Sequence, residues 1–418
     1  MITINILLLN IGSNPLPNYV VTKYLLTENR EDIQHMPIPN QFIFLHSSKT
    51  ERYAKKIRAM LKLFSNSVKL HNLGESERNS EHITKSILSI LAELQKKQTI
   101  TSIHLNYTGG TKPMAVHSFQ AVSSYAKGHE IKVVFSDLNH SSFKIVLDKG
   151  DYSFPTSGDL REYVKLTIKE MFEMHLMDYK DDKYTPFFKD PNDFAEFILK
   201  GFEEKQDLLE PRYHVRYIKE AIDDNSKKFD KKDYKNQFEN NIYKYLSSFL
   251  KRFDEYSLNE FKGLIEWLHG KWLEEYVFLT IQQLAEPLKL TEVQMSVYAK
   301  YNNRDCEIDV VVMKGYQLYV ISCTTSKKLS RIKNKAFEAM YRAEQLGGGH
   351  ANVIVVTTIR EKKKQSRQPY QKLYSLEDIK NDLSSFDAME NKKVELIGLE
   401  TVKHPDFLKV ELEKLLSY

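Results

Sequence analysis

Asn106-Tyr107-Thr108-Gly109-Gly110-Thr111-Lys112 links an apolar run, Ser102–Tyr107, to a helical pattern, Pro113–Ala126. Strand, glycine turn and helix in that order make a phosphate-binding turn. Gly109 and Gly110 reach dihedrals closed to other residues and let a ligand approach the backbone. Pro113 suits the first helical position, where no N–H is needed. Successive amide N–H groups and the helix N-terminus present positive potential. Thr108, Thr111 and Lys112 add hydroxyls and a cation. The spacing is not the GxxxxGK(S/T) of a Walker A loop. The turn suits a phosphate or a ribose-phosphate edge, which points to a receptor for a nucleotide. The competing reading is a glycine-rich turn beside a solvated lysine.

Moving outward, Ile4–Asn10, Gln41–His46 and Lys132–Ser136 are further short apolar runs. Tyr19–Leu26, Thr50–Phe64 and Ser80–Lys97 are amphipathic helical patterns between them. Apolar strands alternating with helices predict a Rossmann-like α/β unit over residues 1–155, its parallel sheet covered on both faces. Ligands of such sheets sit outside the carboxyl ends of the strands. Two more polar loops fall at that end. Asn10-Ile11-Gly12-Ser13-Asn14-Pro15-Leu16-Pro17-Asn18 follows the first strand, and Ser47-Ser48-Lys49-Thr50 follows the second. Helix capping by Ser47 or Ser48 is the alternative for the latter. Three small-residue loops after three successive strands would line one crevice.

With 418 residues, the chain is expected to form two or three domains. Two cysteines, Cys306 and Cys323, are too few for a disulfide framework or a Cys-rich zinc site. The net charge of +5 is a mild excess, so any surface for a polyanion must be local. The first residues lack a basic signal region, and no run reaches the roughly 18 apolar residues of a membrane span. A cytoplasmic protein without membrane contact is expected. Residues 156–260, rich in Tyr, Phe, Lys and Asp, show no evident strand and read as a helical connector. Residues 261–418 read as a second α/β unit: a helix near Gly270–Ala285, strands Gln294–Lys300, Glu307–Met313 and Leu318–Cys323, a helix Lys333–Leu346, a strand Asn352–Thr357 and a helix Asp406–Tyr418. Lys314-Gly315-Tyr316-Gln317 forms a tight hairpin, and Gly347-Gly348-Gly349 ends a helix.

A second chemical feature lies here. Glu307-Ile308-Asp309-Val310-Val311-Val312 places two carboxylates on one strand face by alternation. Asp309 opens an apolar run, where a carboxylate needs a partner, and a divalent metal is the obvious one; the competing reading is that Glu307 and Asp309 cap a hairpin and face water. Gly270-Lys271-Trp272-Leu273-Glu274-Glu275-Tyr276 offers more acids on the preceding helix. Lys327, Lys328, Arg331, Lys333 and Lys335 form one basic run; Arg360, Lys362, Lys363, Lys364 and Arg367 form another. Two such runs beside carboxylates suit backbone phosphates and carry no base-reading motif. Cys323, with no His placed to activate it, reads as a buried small hydrophobe.

Gly-x-x-Pro-x-Pro-Asn after one strand, Ser-Ser-x-Thr after the next and Asn-x-Thr-Gly-Gly-Thr-Lys-x-Met after a third resemble the CARF sensor domain of CRISPR-associated ancillary proteins. That resemblance implies a homodimer binding a cyclic oligoadenylate, the tetra-adenylate by analogy, across its two-fold axis. It implies ligand contacts at Gly12, Ser13, Pro17, Asn18, Ser47, Thr50, Thr108, Gly109, Gly110, Thr111 and Lys112. Gly-x-Trp-Leu-Glu-Glu-Tyr and Glu-Ile-Asp-Val resemble the PD-(D/E)XK nuclease half of two-domain CARF nucleases. This second resemblance implies Mg²⁺ or Mn²⁺ held by Asp309 with Glu274 or Glu275 and Glu307, and cleavage of DNA or RNA in type III CRISPR antiviral defence. Where the family has acid-x-Lys, this chain reads Ser322-Cys323-Thr324. Glu307 is then the candidate second carboxylate, and Lys327, Lys328 or Lys335 the candidate ammonium. The alternative is a cyclic-oligoadenylate-sensing binding or regulatory protein whose nuclease domain no longer cuts. Degradation of the ligand by the sensor itself ranks last, because its turns supply no base.

Overall fold

Apolar strands buried on both faces set the N-terminal architecture. In β1 (Thr3–Asn10), Ile4, Ile6 and Leu8 enter one hydrophobic core while Leu7 and Leu9 enter another. Only a sheet covered by helices on both sides accommodates that alternation of apolar with apolar. The computed structural model describes residues 2–28, 30, 36–139, 141–148, 157–180, 185–187, 191–202, 212–224, 228–247, 249–301, 304–348, 351–361, 375–384 and 394–417. Around β1 lie β2 (Gln41–His46), β3 (Val68–Asn72), β4 (Thr99–Asn106), β5 (Lys132–Asn139) and β6 (Lys144–Leu147), in the order β3-β2-β1-β4-β5-β6. All pairs are parallel except β5 with β6. Helices α1 (Leu16–Leu25) and α2 (Glu51–Met60) supply the core on one face, and α3 (Ser80–Lys97) and α4 (Lys112–His129) on the other. The chain winds outward from β1 to β3, then returns to β4 on β1's other side. The gap between the ends of β1 and β4 is thus a topological switch point.

The second sheet comprises β7 (Asp178–Lys180), β8 (Glu292–Tyr301), β9 (Arg304–Lys314), β10 (Gln317–Thr324), β11 (Asn352–Thr357) and β12 (Val394–Ile397), ordered β12-β11-β10-β9-β8-β7. Strands β7 to β10 are antiparallel neighbours, and β10, β11 and β12 run parallel. The stretch read as a strandless connector is mostly helical, but Asp178–Lys180 pairs with β8. Its aromatics Phe194, Phe197, Phe238 and Phe253 are buried in one core with Trp272, Leu273 and Val277 of the Trp272–Leu284 helix. The segment is therefore packed into the second half of the molecule rather than strung between halves. The strands unread in the sequence, β3, β6, β7 and β12, are the outermost strands of the two sheets. Edge strands are short and lie against the core on one side only, so they leave little apolar pattern to read.

One continuous core joins the two sheets. The Ile168–Met174 helix, closed at its start by a capping box of Thr167 and Glu170, buries Ile168, Met171, Phe172 and Met174. These side chains share a cluster with Leu7 and Leu9 of the first sheet and Val311, Leu318 and Val320 of the second. A second tie is the β9–β10 hairpin tip. Gly315 (φ +62°) is left-handed, and a Cβ there would lie 2.5 Å from the carbonyl oxygen and 2.6 Å from the Cα of Arg161. Leu166 N donates to the Gly315 carbonyl at 3.0 Å, and Arg161 Nη1 donates to Gln317 Oε1 at 2.7 Å. Gly315→Ala combines a strained dihedral with a backbone clash. It should destabilise the protein by about 2 kcal/mol or more, read as a lowered thermal midpoint; an unchanged midpoint would show that the tip does not bear on the first unit.

Candidate functional site

At the switch point, the loops after β1 and β4 interlock. Gly110 (φ +80°) takes the left-handed conformation, and a Cβ on it would lie 2.7 Å from Asn10 Cβ. A Cβ on Gly109 would meet the Asn18 amide at 2.7–2.8 Å, and one on Gly12 the Gly110 nitrogen at 2.9 Å. The glycines are thus required first for loop-to-loop contact. Asn18 is fully buried, its Nδ2 donating to the Asn10 carbonyl at 3.0 Å, while Ser118 Oγ donates to Asn10 Oδ1 at 3.1 Å. Pro17 is buried beside Asn18 in α1. These two candidates form the floor of the loop rather than its open surface.

The hydroxyls are also committed. Thr108 Oγ1 accepts from Leu138 N at 2.7 Å. Thr111 caps α4, accepting from Met114 N at 3.3 Å and donating to the Glu77 carbonyl at 3.2 Å. Thr50 Oγ1 accepts from Ser47 N at 3.0 Å, and Ser47 is buried. The cap position of α2 is Thr50, not Ser47 or Ser48. Ser13, Gly110 and Lys112 are exposed, with Gly12, Thr50, Thr108, Gly109 and Thr111 half-buried around them. Of the expected contacts, Ser13 and Lys112 are the ones whose side chains are exposed.

The second site is built on β9 and β10. Asp309 is buried at 4% exposure, and its Oδ2 accepts from Ser322 Oγ at 3.0 Å and Cys323 N at 2.7 Å. Lys335, on the Leu329–Gly347 helix, places Nζ 3.2 Å from Oδ1 and 3.3 Å from Oδ2. Of the ammonium groups considered, the structure thus brings Lys335 to the carboxylate; Lys327 and Lys328 are exposed on the wall of the neighbouring cleft. Burial opposes charge on Lys335, but Asp309 outweighs it and holds the pKa above its usual value.

The two acids of the helix separate cleanly. Glu275 is fully buried and accepts from Trp267 Nε1 and Phe187 N, each at 3.0 Å, so it is structural. Glu274 has a buried Oε2 with no hydrogen-bond partner. Burial, and then the nearby Asp309, push its carboxyl up to about 8. Glu307 does not join them: it is exposed, and its cross-strand neighbour Tyr298 donates to Oε1 at 2.7 Å. Among the described residues no three His, Cys, Asp or Glu side chains lie close enough to hold one metal ion. The expected set of three carboxylates is therefore reduced to Asp309 and Glu274. Glu307 borders the same small crevice as Asp309, Ser322 and Lys335, but its carboxylate is turned to Tyr298. Ser322 orients Asp309, and Thr324 Oγ1 accepts from Ser326 N at 3.2 Å, fixing the turn after β10. Burial drives the Cys323 thiol well above its usual pKa, which leaves it an inert packing group.

A cleft of about 740 Å³ opens onto Glu274 and Lys335. Lys327, Lys328, Arg331 and Asn334 line one side, and Tyr213, Arg216 and His269 contribute from the other elements. Lys333 instead pairs with Asp382. Arg360 pairs with Glu400 at 3.6 Å, while Lys362, Lys363, Lys364 and Arg367 of the second basic run lie outside the described residues. Tyr213, Arg216 and Glu338 were not singled out from sequence. Arg331, Asn334, Lys335 and Glu338 form a polar stripe at helical spacing opposite the buried Ile332, Ala336 and Ala343, a pattern that was there to be read. Nothing in sequence announces that the Arg212–Asp223 helix faces the same cleft.

A comparison with curated protein sequences finds no match. Among solved structures, protein VC1899 from Vibrio cholerae superposes with a TM-score of 0.64 at 14% identity, covering 99% of this chain and 98% of that one. Can2 from Sulfobacillus thermosulfidooxidans, solved with cyclic tetra-adenylate, gives 0.62 at 14% identity, covering 99% and 100%. These likenesses establish the shared fold along the whole chain. Residues 11–163 match the family model of the Card1 CARF domain, and residues 262–361 that of the Card1-like endonuclease domain. The chain thus belongs to the proteins that fuse a CARF domain to a Card1-like endonuclease domain.

Proposed function

We propose that this protein is a homodimeric receptor for a cyclic oligoadenylate, which switches on a metal-dependent phosphodiesterase activity against DNA or RNA in type III CRISPR antiviral defence. The observation that carries this reading is the buried Asp309 beside the half-buried Glu274, met by Lys335, at the head of a basic cleft. Cyclic tetra-adenylate, the ligand of Can2, is the nucleotide we propose for the switch-point crevice. In that crevice Lys112 and the N-terminus of α4 would meet a phosphate, and Ser13 would approach from the facing loop.

The donor set fits a divalent cation. An orphaned buried carboxylate oxygen beside a second buried carboxylate is a place that asks for positive charge. Mg²⁺ is commonly held by one or two carboxylates and otherwise by water and phosphate, so Asp309 and Glu274 suffice. Bound there, such an ion would polarise the phosphodiester and acidify a water. The protein's own part is separable. Ser322 Oγ and Cys323 N orient Asp309. Lys327, Lys328 and Arg331 would hold backbone phosphates along the cleft wall. Lys335 would stand in for the lysine that the strand lacks, carrying its proton at Nζ beside the carboxylates and facing the incoming phosphate. The second reading, a receptor that binds nucleic acid without cutting it, is favoured by Ser322-Cys323-Thr324 at the place of acid-x-Lys.

Incubation with supercoiled plasmid and single-stranded RNA, with Mn²⁺ or Mg²⁺, with and without cyclic tetra-adenylate, decides between the two. Cleavage only with ligand, abolished in Asp309→Ala, is expected. Lys335→Ala should slow it by about 10²–10⁴-fold. Ligand binding without cleavage under either metal leaves the second reading. Lys112→Ala should weaken ligand affinity about tenfold or more by losing a charged hydrogen bond; unchanged affinity removes that turn from the pocket. A third expectation follows from Glu274. Its folded pKa of about 8 exceeds the ordinary 4.5, so the folded state binds the extra proton between those values. In chelator the stability contribution is full below pH 4.5 and is lost as pH rises through about 8. Thermal midpoints should fall across that window, flatten in Glu274→Gln and flatten on adding Mn²⁺. Matching profiles for wild type and Glu274→Gln in chelator would discard the placing of Glu274 beside Asp309.

A further inference from the structure

The two halves of the nuclease-like site are tied to different parts of the CARF domain. Asp309 sits on β9 and is held by the backbone of β10. The far end of that hairpin, Gly315 and Gln317, is anchored on Arg161, whose guanidinium lies 3.9 Å from the Phe143 ring centroid. Phe143 and Arg161 belong to the end of the first unit remote in sequence from the crevice loops. Lys335 is tied elsewhere. It rides on the Leu329–Gly347 helix, which ends at Gly348 (φ +58°, ψ −138°). That residue has no room for a Cβ because the Asn14 amide occupies the space. Asn14 belongs to the crevice loop, directly after Gly12 and Ser13.

Asn14 is itself held on three sides. Its Oδ1 accepts from Leu16 N at 3.0 Å, fixing the loop as it enters α1. His175 Nε2 lies 3.3 Å from the same oxygen, and His175 Nδ1 lies 2.9 Å from the Met171 carbonyl of the helix between the sheets. Its amide abuts Gly348. Gly12 of the same loop is packed against Gly110, so the glycine turn bears directly on the loop that carries Asn14. From Gly348 to Lys335 the path is an unbroken helix of about 20 Å, which moves along its axis as a stiff rod. Gly347, lacking a Cβ, leaves room for Ala351, where a Cβ would lie 2.7 Å from the Ala351 Cβ, so the chain turns tightly at the end of this helix.

We infer that Asn14 is a positioning residue for Lys335: displacement of the crevice loop by a cyclic nucleotide is passed through Asn14 and Gly348 to the Leu329–Gly347 helix, shifting the Lys335 ammonium relative to an Asp309 anchored independently through Arg161. This rests on the receptor reading given above, and it specifies the route of regulation. A ligand acts in this way only if it binds the shifted arrangement more tightly than the resting one.

Three measurements on the full chain test it: cyclic tetra-adenylate affinity by calorimetry, ligand-induced change in hydrogen exchange over residues 329–347, and cleavage with and without ligand. Asn14→Ala should bind cyclic tetra-adenylate within about threefold of wild type. It should lose most of the exchange response in 329–347, and its ratio of stimulated to basal cleavage should fall about tenfold. An Asn14→Ala protein that binds normally and still changes exchange over 329–347 overturns the route. One that binds more than tenfold more weakly also overturns it, because Asn14 then belongs to the pocket. A wild type that binds no cyclic tetra-adenylate overturns the receptor reading and this route with it. Exchange needs no catalysis, so an inactive nuclease domain does not obscure the result.

Discussion

A carboxylate buried among apolar strands has to be met by positive charge and by donors, and Asp309 imposes that demand on the second half of the chain. An unpaired ion in such a place costs several kcal/mol. The protein answers with Ser322 Oγ and the Cys323 amide on one oxygen and with Lys335 across both. That requirement fixes the path of the Leu329–Gly347 helix over β10 and leaves Glu274 facing a negative neighbour. Desolvation first, and the Asp309 charge second, raise the Glu274 pKa, and the site holds one more carboxylate than its lysine can neutralise. A pocket with that imbalance is poised for a cation, and the basic wall of the adjoining cleft is poised for a polyanion.

In the first half the governing constraint is steric. Gly12, Gly109 and Gly110 allow the loops after β1 and β4 to touch where a parallel sheet reverses its winding. Each Cβ that is missing there shortens the distance between two backbones, so the crevice is a packed structure with a thin exposed rim. Asn18 and Pro17 hold its floor, and Thr108 and Thr111 are tied to the strand and helix that flank it. A rim built on such interlocked loops transmits displacement to whatever touches it. The His175 ring and Gly348, both in contact with Asn14, lie on elements of the second half.

The two units are also one hydrophobic object. Met171 and Phe172 share one core cluster with side chains of both sheets. Aromatics at helical spacing in the intervening stretch, read as a helical connector, are mostly core, whereas Tyr213 and Tyr217 are exposed. Composition did not distinguish these two groups, because burial of a helix face depends on which partner it meets.

By itself the sequence determined the interior strands, since an apolar run such as Thr3–Asn10 or Asn352–Thr357 is stable only between two covered faces. It also determined the glycine turn at 108–112, where few residues other than glycine fit, and the presence of a carboxylate, Asp309, that needed company. Only the tertiary structure decided which company it has. Glu274 and Glu275 are adjacent in sequence, yet one faces Asp309 and the other is bound by Trp267, because a helix turns successive side chains by about 100°. Glu307 is two residues from Asp309, yet its carboxylate is drawn to Tyr298 on the neighbouring strand. Lys335 lies 26 residues beyond Asp309 and still reaches it. Local spacing states which residues share a face of one element; charge pairing across elements is settled by how those elements pack, which no spacing records.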